Sequence, residues 1–386
     1  MGSSLLVNEE LLTPSYAFIH GLLGDIATLM AEGKEVVLTS SGSVALGLGL
    51  LGADPKTAGV QEKQAAAACG MPLLLNVYKQ IALEYGFDIA QVLITLEDLE
   101  NRRRFLNTRN TINRLLERGI LPIVNENDTV TTQEIRVGDN DRLAAKVAQM
   151  LQASNLTILT SIDGLYDRNP EEEGAQFVER VDDVAEYLEV TKSTSSLGSG
   201  GMMTKMQAAN MAQNAGCTTL IAKGEVDRPI TAVLSGECRC TECVAQTDPA
   251  SSWSVWLTDR LAMAGSIVVR KTPARDIRSG EIGVRAQDVV SMQGDFSKGD
   301  VLHIFDEDGQ EVARGLTNYG SQEALILARH PDLPAKETLG YSASDVIINR
   351  KNLILLEEHH LSWDKPEDDM LDIAAQEAAE RAEERN

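Results

Sequence analysis

The chain has 386 residues, 43% of them hydrophobic, and a formal net charge of -23 at pH 7. At roughly 100–200 residues per domain this length calls for two or three domains, and the acidic balance disfavours nonspecific contact with nucleic acid or anionic lipid. Its longest apolar stretches, such as 44–51, are broken by Gly and too short to span a bilayer; the opening MGSSLLVNEE lacks the basic region and apolar core of a secretory signal, and Leu6 stands where a myristoylation motif needs Ser or Thr, so a cytoplasmic protein is expected.

Residues 1–7 read as the end of a strand and its exit loop. Tyr16, Ile19, Leu22, Leu23, Ile26 and Leu29 recur at helical spacing and predict an amphipathic helix ending at Gly33. A strand over 35–39 runs into Ser40, Ser41, Gly42 and Ser43, and a helix-like stretch continues through Leu46 and Leu50. Such a turn exposes backbone N–H groups at a helix N-terminus, suited to a carboxylate or phosphate, although small residues there also serve close packing. Helical patterns follow over 63–85, strand character over 90–95, and a long helix over 106–118.

The segment 121–141 organises the chain. Leu121, Pro122, Ile123 and Val124 form a short apolar run of the kind that makes a buried strand, and the chain then turns polar at Asn125, Glu126, Asn127 and Asp128. A second cluster, Gly138, Asp139, Asn140 and Asp141, opens a helical pattern at Leu143, Ala144, Val147 and Met150, with Asn140 or Asp141 placed to cap it. Either cluster alone is well explained as turn chemistry. Both together, flanking one strand and one helix, sit where open α/β sheets bind small ligands.

A very apolar strand over 156–159 ends in Thr160, Ser161, Ile162 and Asp163, and Asn169-Pro170 breaks the chain soon after. The loop 197–205, LGSGGMMTK, then leads into a helical pattern at Met206, Ala209, Met211 and Ala212. Its glycines let the backbone approach an anion, while a helix end and Lys205 supply positive potential. It is neither a G-x-x-x-x-G-K-[ST] loop nor a G-x-G-x-x-G dinucleotide turn. Another buried strand covers 217–222. The strands alternate with helices, which reads as an α/β fold with a mainly parallel open sheet sandwiched by helices.

From 236 to 252 the composition shifts to Cys, Thr, Ser and Pro without periodicity, and the segment 236–264 reads as a linker after a domain over 1–235. Of the five cysteines, Cys69 and Cys217 read as small buried thiols. Cys238, Cys240 and Cys243 have a C-x-C-x-x-C spacing that could supply part of a zinc site, but no fourth Cys or His lies nearby, so no metal ligand set is assigned. Short alternating segments over 301–305, 312–316 and 346–348 mark a small β-rich domain at 265–356. Over 265–355 its 11 Lys and Arg against 13 Asp and Glu leave no basic footprint for RNA. The acidic, Ala-rich end, 357–386, reads as a solvated helix or disordered tail.

Taken together, NENDTV, VGDND, ENRRRFLNTRNT and GSGGMMTKMQAA resemble the glutamate 5-kinase family over nearly the whole chain, from GSSLL to about Leu356. The resemblance implies an amino-acid kinase fold followed by a PUA domain. It also implies an ATP-dependent enzyme of proline biosynthesis, in which the γ-carboxylate of L-glutamate attacks the γ-phosphate to form an acyl phosphate. Carried over, it implies that Ser41, Asp128 and Asn140 bind glutamate, Asp128 pairing the ammonium while Ser41 and Asn140 donate to the carboxylates. Thr160 and Ser161 would contact the nucleotide, and Ser199, Gly200, Gly201, Met202, Met203, Thr204 and Lys205 would form the phosphate loop. Lys205 would neutralise charge on the transferred phosphoryl group and Asp141 would orient that lysine; simple helix capping is the plainer role for Asp141. Mg²⁺ would come bound to ATP, proline would be a feedback inhibitor, and the assembly would be a dimer or tetramer.

Three departures qualify the resemblance. The family's first strand carries a Lys two residues before the Gly of the GSS loop; Met1 holds the last position before that Gly, so the Lys and most of the strand are not in this sequence, and weak activity is expected. Ser161 stands where many relatives have Asp. The stretch 270–288 matches the PUA pattern poorly, and CRCTEC is not part of the family pattern. Competing readings are another amino-acid kinase, a catalytically silent amino-acid sensor, and an RNA-binding PUA protein.

Overall fold

The computed structural model describes residues 1–8, 12–131, 139–188, 200–249, 263–341, 343–355 and 371–372. The chain divides into two compact units, Met1–Trp253 and Ser254–Asn386. Among the described residues no helix is long and apolar enough to cross a membrane.

The first unit is an α/β structure with two sheets. One has the order β1 (Leu38–Thr39), β3 (Ile120–Glu126), β2 (Asp88–Ile94), with both pairings parallel. The other runs β4 (Asn155–Thr160), β6 (Thr218–Lys223), β7 (Cys240–Cys243), β5 (Arg180–Val181), with β4 and β6 parallel. All but the first residue of β3 are buried, as expected for a parallel strand covered on both faces. The Met1 nitrogen donates to Thr39 O at 3.5 Å and Gly2 N–H to Leu159 O at 3.4 Å, so these two residues stitch the edge of one sheet to the edge of the other.

Residues 1–7 do not continue as extended chain. Ser3–Leu6 forms one helical turn, followed by a short strand, Val7–Asn8, paired with Thr13–Pro14. The reason lies in the side chains: Leu5 and Leu6 are both buried in the core with Ile19, Leu22 and Leu23. Helical geometry lets neighbours share a core, whereas a strand sends them to opposite faces.

Helices cover the sheets: α1 (Tyr16–Ala31), α2 (Ser43–Leu51), α3 (Val60–Glu84), α4 (Arg102–Leu116), α5 (Asp139–Leu151) and α6 (Gly200–Asn214). Asn101 caps α4 by accepting from Arg104 N–H. Gly42 enters α2 at φ 96°, and a Cβ there would meet Val7 at 3.1 Å, so glycine alone fits this left-handed turn. The α2–α3 crossing is backbone on backbone: a Cβ on Gly70 would lie 1.9 Å from Ser43 O and one on Gly47 1.8 Å from Ala66 O.

The expected linker begins too early. Cys240–Cys243 is a strand, pairing antiparallel with β6 in the register Ala222↔Cys240 to Thr219↔Cys243. Its alternation is carried by Thr241 and Cys243, both fully buried, and Thr241 Oγ1 is satisfied by donating to Val178 O at 2.7 Å and accepting from Leu165 N–H at 2.8 Å. A buried threonine with partners in hand serves a sheet as well as valine does. Cys240 and Cys243 lie three apart on one strand and so face opposite sides, which keeps the C-x-C-x-x-C run from closing on one ion. Burial, with a smaller contribution from the Glu242 charge, pushes the Cys243 thiol up to about 12. The five cysteines are free.

The second unit is one curled seven-stranded sheet, ordered β9 (Val284–Arg285), β13 (Val346–Leu355), β12 (Glu311–Thr317), β11 (Val301–Asp306), β8 (Gly265–Val269), β10 (Val289–Gln293), β14 (Leu371–Asp372). Helices α7 (Lys271–Arg278) and α8 (Ser321–Arg329) pack their apolar faces into its core through Ala274, Ile277, Ala324 and Leu327. In the β11–β12 hairpin, Glu311 is buried between His303 Nδ1 at 2.6 Å and Arg314 Nε at 2.8 Å. Burial pushes its carboxyl up, but the hydrogen bonds from His303 and Arg314 and their charges outweigh that and hold it at about 2. Most of the expected tail, 357–386, lies outside the described residues; Leu371–Asp372 pairs antiparallel with Ser291–Met292 at the sheet edge.

Candidate functional site

Three segments far apart in sequence converge at the start of α5. The carboxyl end of β1 delivers Ser40 and Ser41, the carboxyl end of β3 delivers Asn125, and the first turn of α5 brings Asn140 between them. Asn140 Nδ2 lies 2.7 Å from Ser41 Oγ, 3.0 Å from Ser40 O and 3.1 Å from Asn125 Oδ1. Two of those partners, a carbonyl and an amide oxygen, can only accept, so the orientation of the Asn140 amide is fixed. Its Oδ1 is buried and has no hydrogen-bond partner among the described residues.

The N–H groups of Asn140 are thus engaged by acceptors of the protein. The atom left over is an acceptor, which suits a donor such as an ammonium group. Asp128, two residues beyond β3, is also buried, as is Glu126 at the strand's end.

The next residue of α5 faces a different cluster. Asp141 Oδ2 accepts from Lys205 Nζ at 3.1 Å and from Thr204 Oγ1 at 3.0 Å, both in the first turns of α6. The lysine and aspartate side chains are each 11% exposed, so this ion pair is held largely away from water, where geometry is kept and screening is weak. Thr204 Oγ1 also contacts Gly201 O at 3.0 Å, fixing the turn. Helices α5 and α6 meet along a shared core containing Ala145, Met206, Ala208 and Ala209.

Of the residues singled out from sequence, Ser41 and Asn140 are brought into direct contact, and so are Asp141, Thr204 and Lys205. Asp141 is more than a helix cap, since its carboxylate reaches across to α6. Gly200 begins α6, and Gly201, Met202 and Met203 follow it half-buried in the first turn. Thr160 closes β4, buried, with its carbonyl taken by Gly224 N–H at 2.8 Å, and Ser161 is exposed beyond it. Neither shares a hydrogen bond with the Asp141–Lys205 pair among the described residues. Ser199 lies outside the described residues.

Sequence reading missed Ser40 and Asn125 as the groups that orient Asn140. Position was the available signal, for both stand at the carboxyl end of a strand beside a residue already singled out.

Comparison with known proteins gives the following. The amino acid kinase family model matches residues 1–223 and the PUA domain model residues 265–332. The chain is 40% identical over 359 residues to a glutamate 5-kinase of Laribacter hongkongensis, covering 92% of this chain and 96% of that one. It is 41% identical over 356 residues to a glutamate 5-kinase of Caulobacter vibrioides, covering 90% and 93%. Among solved structures, the UMP kinase of Ureaplasma parvum covers 63% of this chain at 16% identity with a TM-score of 0.44.

Proposed function

The chain belongs to the glutamate 5-kinases of the amino acid kinase family, and from that membership we propose that it transfers the γ-phosphoryl group of ATP to the γ-carboxylate of L-glutamate, the entry step of proline biosynthesis. The observation that carries this reading is the pair Asn140–Asp141: adjacent residues on one helix turn engage two different polar corners, one built from strand ends and one from the glycine-rich turn of α6.

In this reading the first corner holds the amino acid. Asn140 Oδ1 and the Asp128 carboxylate take the α-ammonium, and Ser41 contacts a carboxylate. The second corner holds the phosphates, with α6 presenting N–H groups and Lys205 meeting the γ-phosphoryl oxygens. A carboxylate oxygen forms the new bond to phosphorus, the bond from phosphorus to the β,γ-bridging oxygen breaks, and ADP leaves. The nucleophile is already deprotonated, so no general base is required and catalysis rests on alignment and charge neutralisation. Asp141 holds the Lys205 ammonium at its post until the phosphate arrives. Mg²⁺ would come bound to the phosphate oxygens of the nucleotide, where it would screen their charge.

Hydroxylamine trapping tests the assignment. Purified protein with ATP and L-glutamate yields the γ-hydroxamate with stoichiometric ADP, and omission of glutamate abolishes both. ADP release that ignores glutamate, or hydroxamate from aspartate at an equal rate, would reject the assignment of substrate.

A further inference from the structure

Among the described residues, helix α3 supplies none of the groups that hold Asn140 at the acceptor corner. Yet Tyr78, on this helix, is 1% exposed with its hydroxyl 2.9 Å from Ser40 Oγ, itself 2% exposed. Ser40 Oγ donates onward to Ser41 O at 3.2 Å. A serine hydroxyl has one proton, so with that proton given to Ser41 O the tyrosine is the donor. The relay therefore runs from Tyr78 O–H through Ser40 Oγ–H to the carbonyl of Ser41. Ser40 and Ser41 are also the residues whose carbonyl and hydroxyl engage Asn140.

We propose that Tyr78 is a positioning residue of the acceptor corner: through Ser40 it fixes the 40–41 turn, and through that turn the direction in which Asn140 presents its free oxygen. Three features favour this role over simple core filling. The phenol oxygen is deeply buried and needs a partner, and it finds one in the turn that carries Ser41 rather than on its own helix. Burial, opposed only by the Ser40 hydrogen bond, pushes the phenol well above its ordinary range, so it stays protonated and donates throughout the working pH range. The same helix is locked to the neighbouring turn residue, because Gly70 admits no side chain against Ser43 O. Gln64, nearer the start of α3, donates to Thr131 O at 3.1 Å, beyond Asp128. One helix thus touches both the 40–43 and the 128–131 turns.

The inference rests on the reading of this corner as the glutamate site, and its test has two readouts. In Tyr78→Phe, which removes one oxygen and keeps the ring, KM for glutamate rises about three- to tenfold, as for loss of one neutral buried hydrogen bond, while kcat and KM for ATP stay within twofold. Ser40→Ala gives the same pattern, and the double variant is no worse than the more affected single one, because both cut the same relay. A role confined to packing would lower Tm without selecting glutamate over ATP. Independently of any substrate, the side-chain amide resonance of Asn140, identified by its loss in Asn140→Ala, moves in Tyr78→Phe protein labelled at asparagine nitrogen. An unshifted amide, or a folded Tyr78→Phe protein with unchanged KM for glutamate, overturns the relay. Wild-type protein that forms no hydroxamate from glutamate would instead overturn the functional assignment, leaving the amide shift to decide the positioning role.

Discussion

Each unit of this chain buries charged and polar side chains in clusters, and two of these, one from each unit, are built on opposite plans. In the second unit Glu311 meets His303 and Arg314 within a single hairpin, every partner a few residues away. In the first, Asn140 and Asp141 gather groups that lie 15 to 100 positions away in the sequence, and one buried acceptor, Asn140 Oδ1, has no partner among the described residues. A locally assembled and internally balanced cluster acts as a brace. A cluster with a buried acceptor to spare is the one suited to a ligand donor, as the proposed function requires.

If that distinction is right, perturbing the two clusters has separable consequences. The largest effect is expected for Lys205→Ala, which lowers kcat for hydroxamate formation by about 10²–10³-fold in protein that remains folded, beyond the stability lost by leaving Asp141 unpaired, since loss of a preorganised charge at the transferring group has that scale. Comparable loss of Tm with kcat preserved would place Lys205 among braces. Next comes Glu311→Ala, which leaves His303 and Arg314 without their acceptor and destabilises the second unit by about 2–3 kcal/mol in denaturant titrations, with glutamate-dependent turnover within twofold.

The same carboxylate sets a pH dependence. Its pKa is depressed from 4.5 to about 2 on folding, so its contribution is complete above about pH 4.5 and is lost as pH falls through that value toward 2. Wild-type stability of the second unit falls over this window, and Glu311→Gln flattens the profile there. The smallest effect is expected for Asn140→Ala, which raises KM for glutamate about tenfold with kcat less affected. A rise in KM for ATP instead would move Asn140 to the other corner.

The sequence carried much of this in its polar interruptions. Asn125 through Asp128 follow a buried apolar run, and Asp139 through Asp141 open a helix; both patterns follow from local spacing and were legible without coordinates. Lys205 was legible because glycines precede it. The strand Cys240–Cys243 was not, because four residues are too few to show an alternation and its membership depends on the waiting edge of β6. Ser3–Leu6 was misread for a related reason, since a core reached by two neighbouring leucines selects helix over strand only once that core exists. Tyr78 gave no signal at all. A tyrosine on the buried side of a helix reads as core, and its partner at Ser40 lies 38 residues away.

The neighbouring placement of Asn140 and Asp141 has a mechanical corollary. Consecutive side chains on a helix diverge by about 100°, so one peptide unit acts as a two-pronged fork reaching toward both polar corners. Any sway of α5 carries both prongs together and preserves the gap between them. Inserting a single residue between them would swing one prong by about 100° and part the two corners.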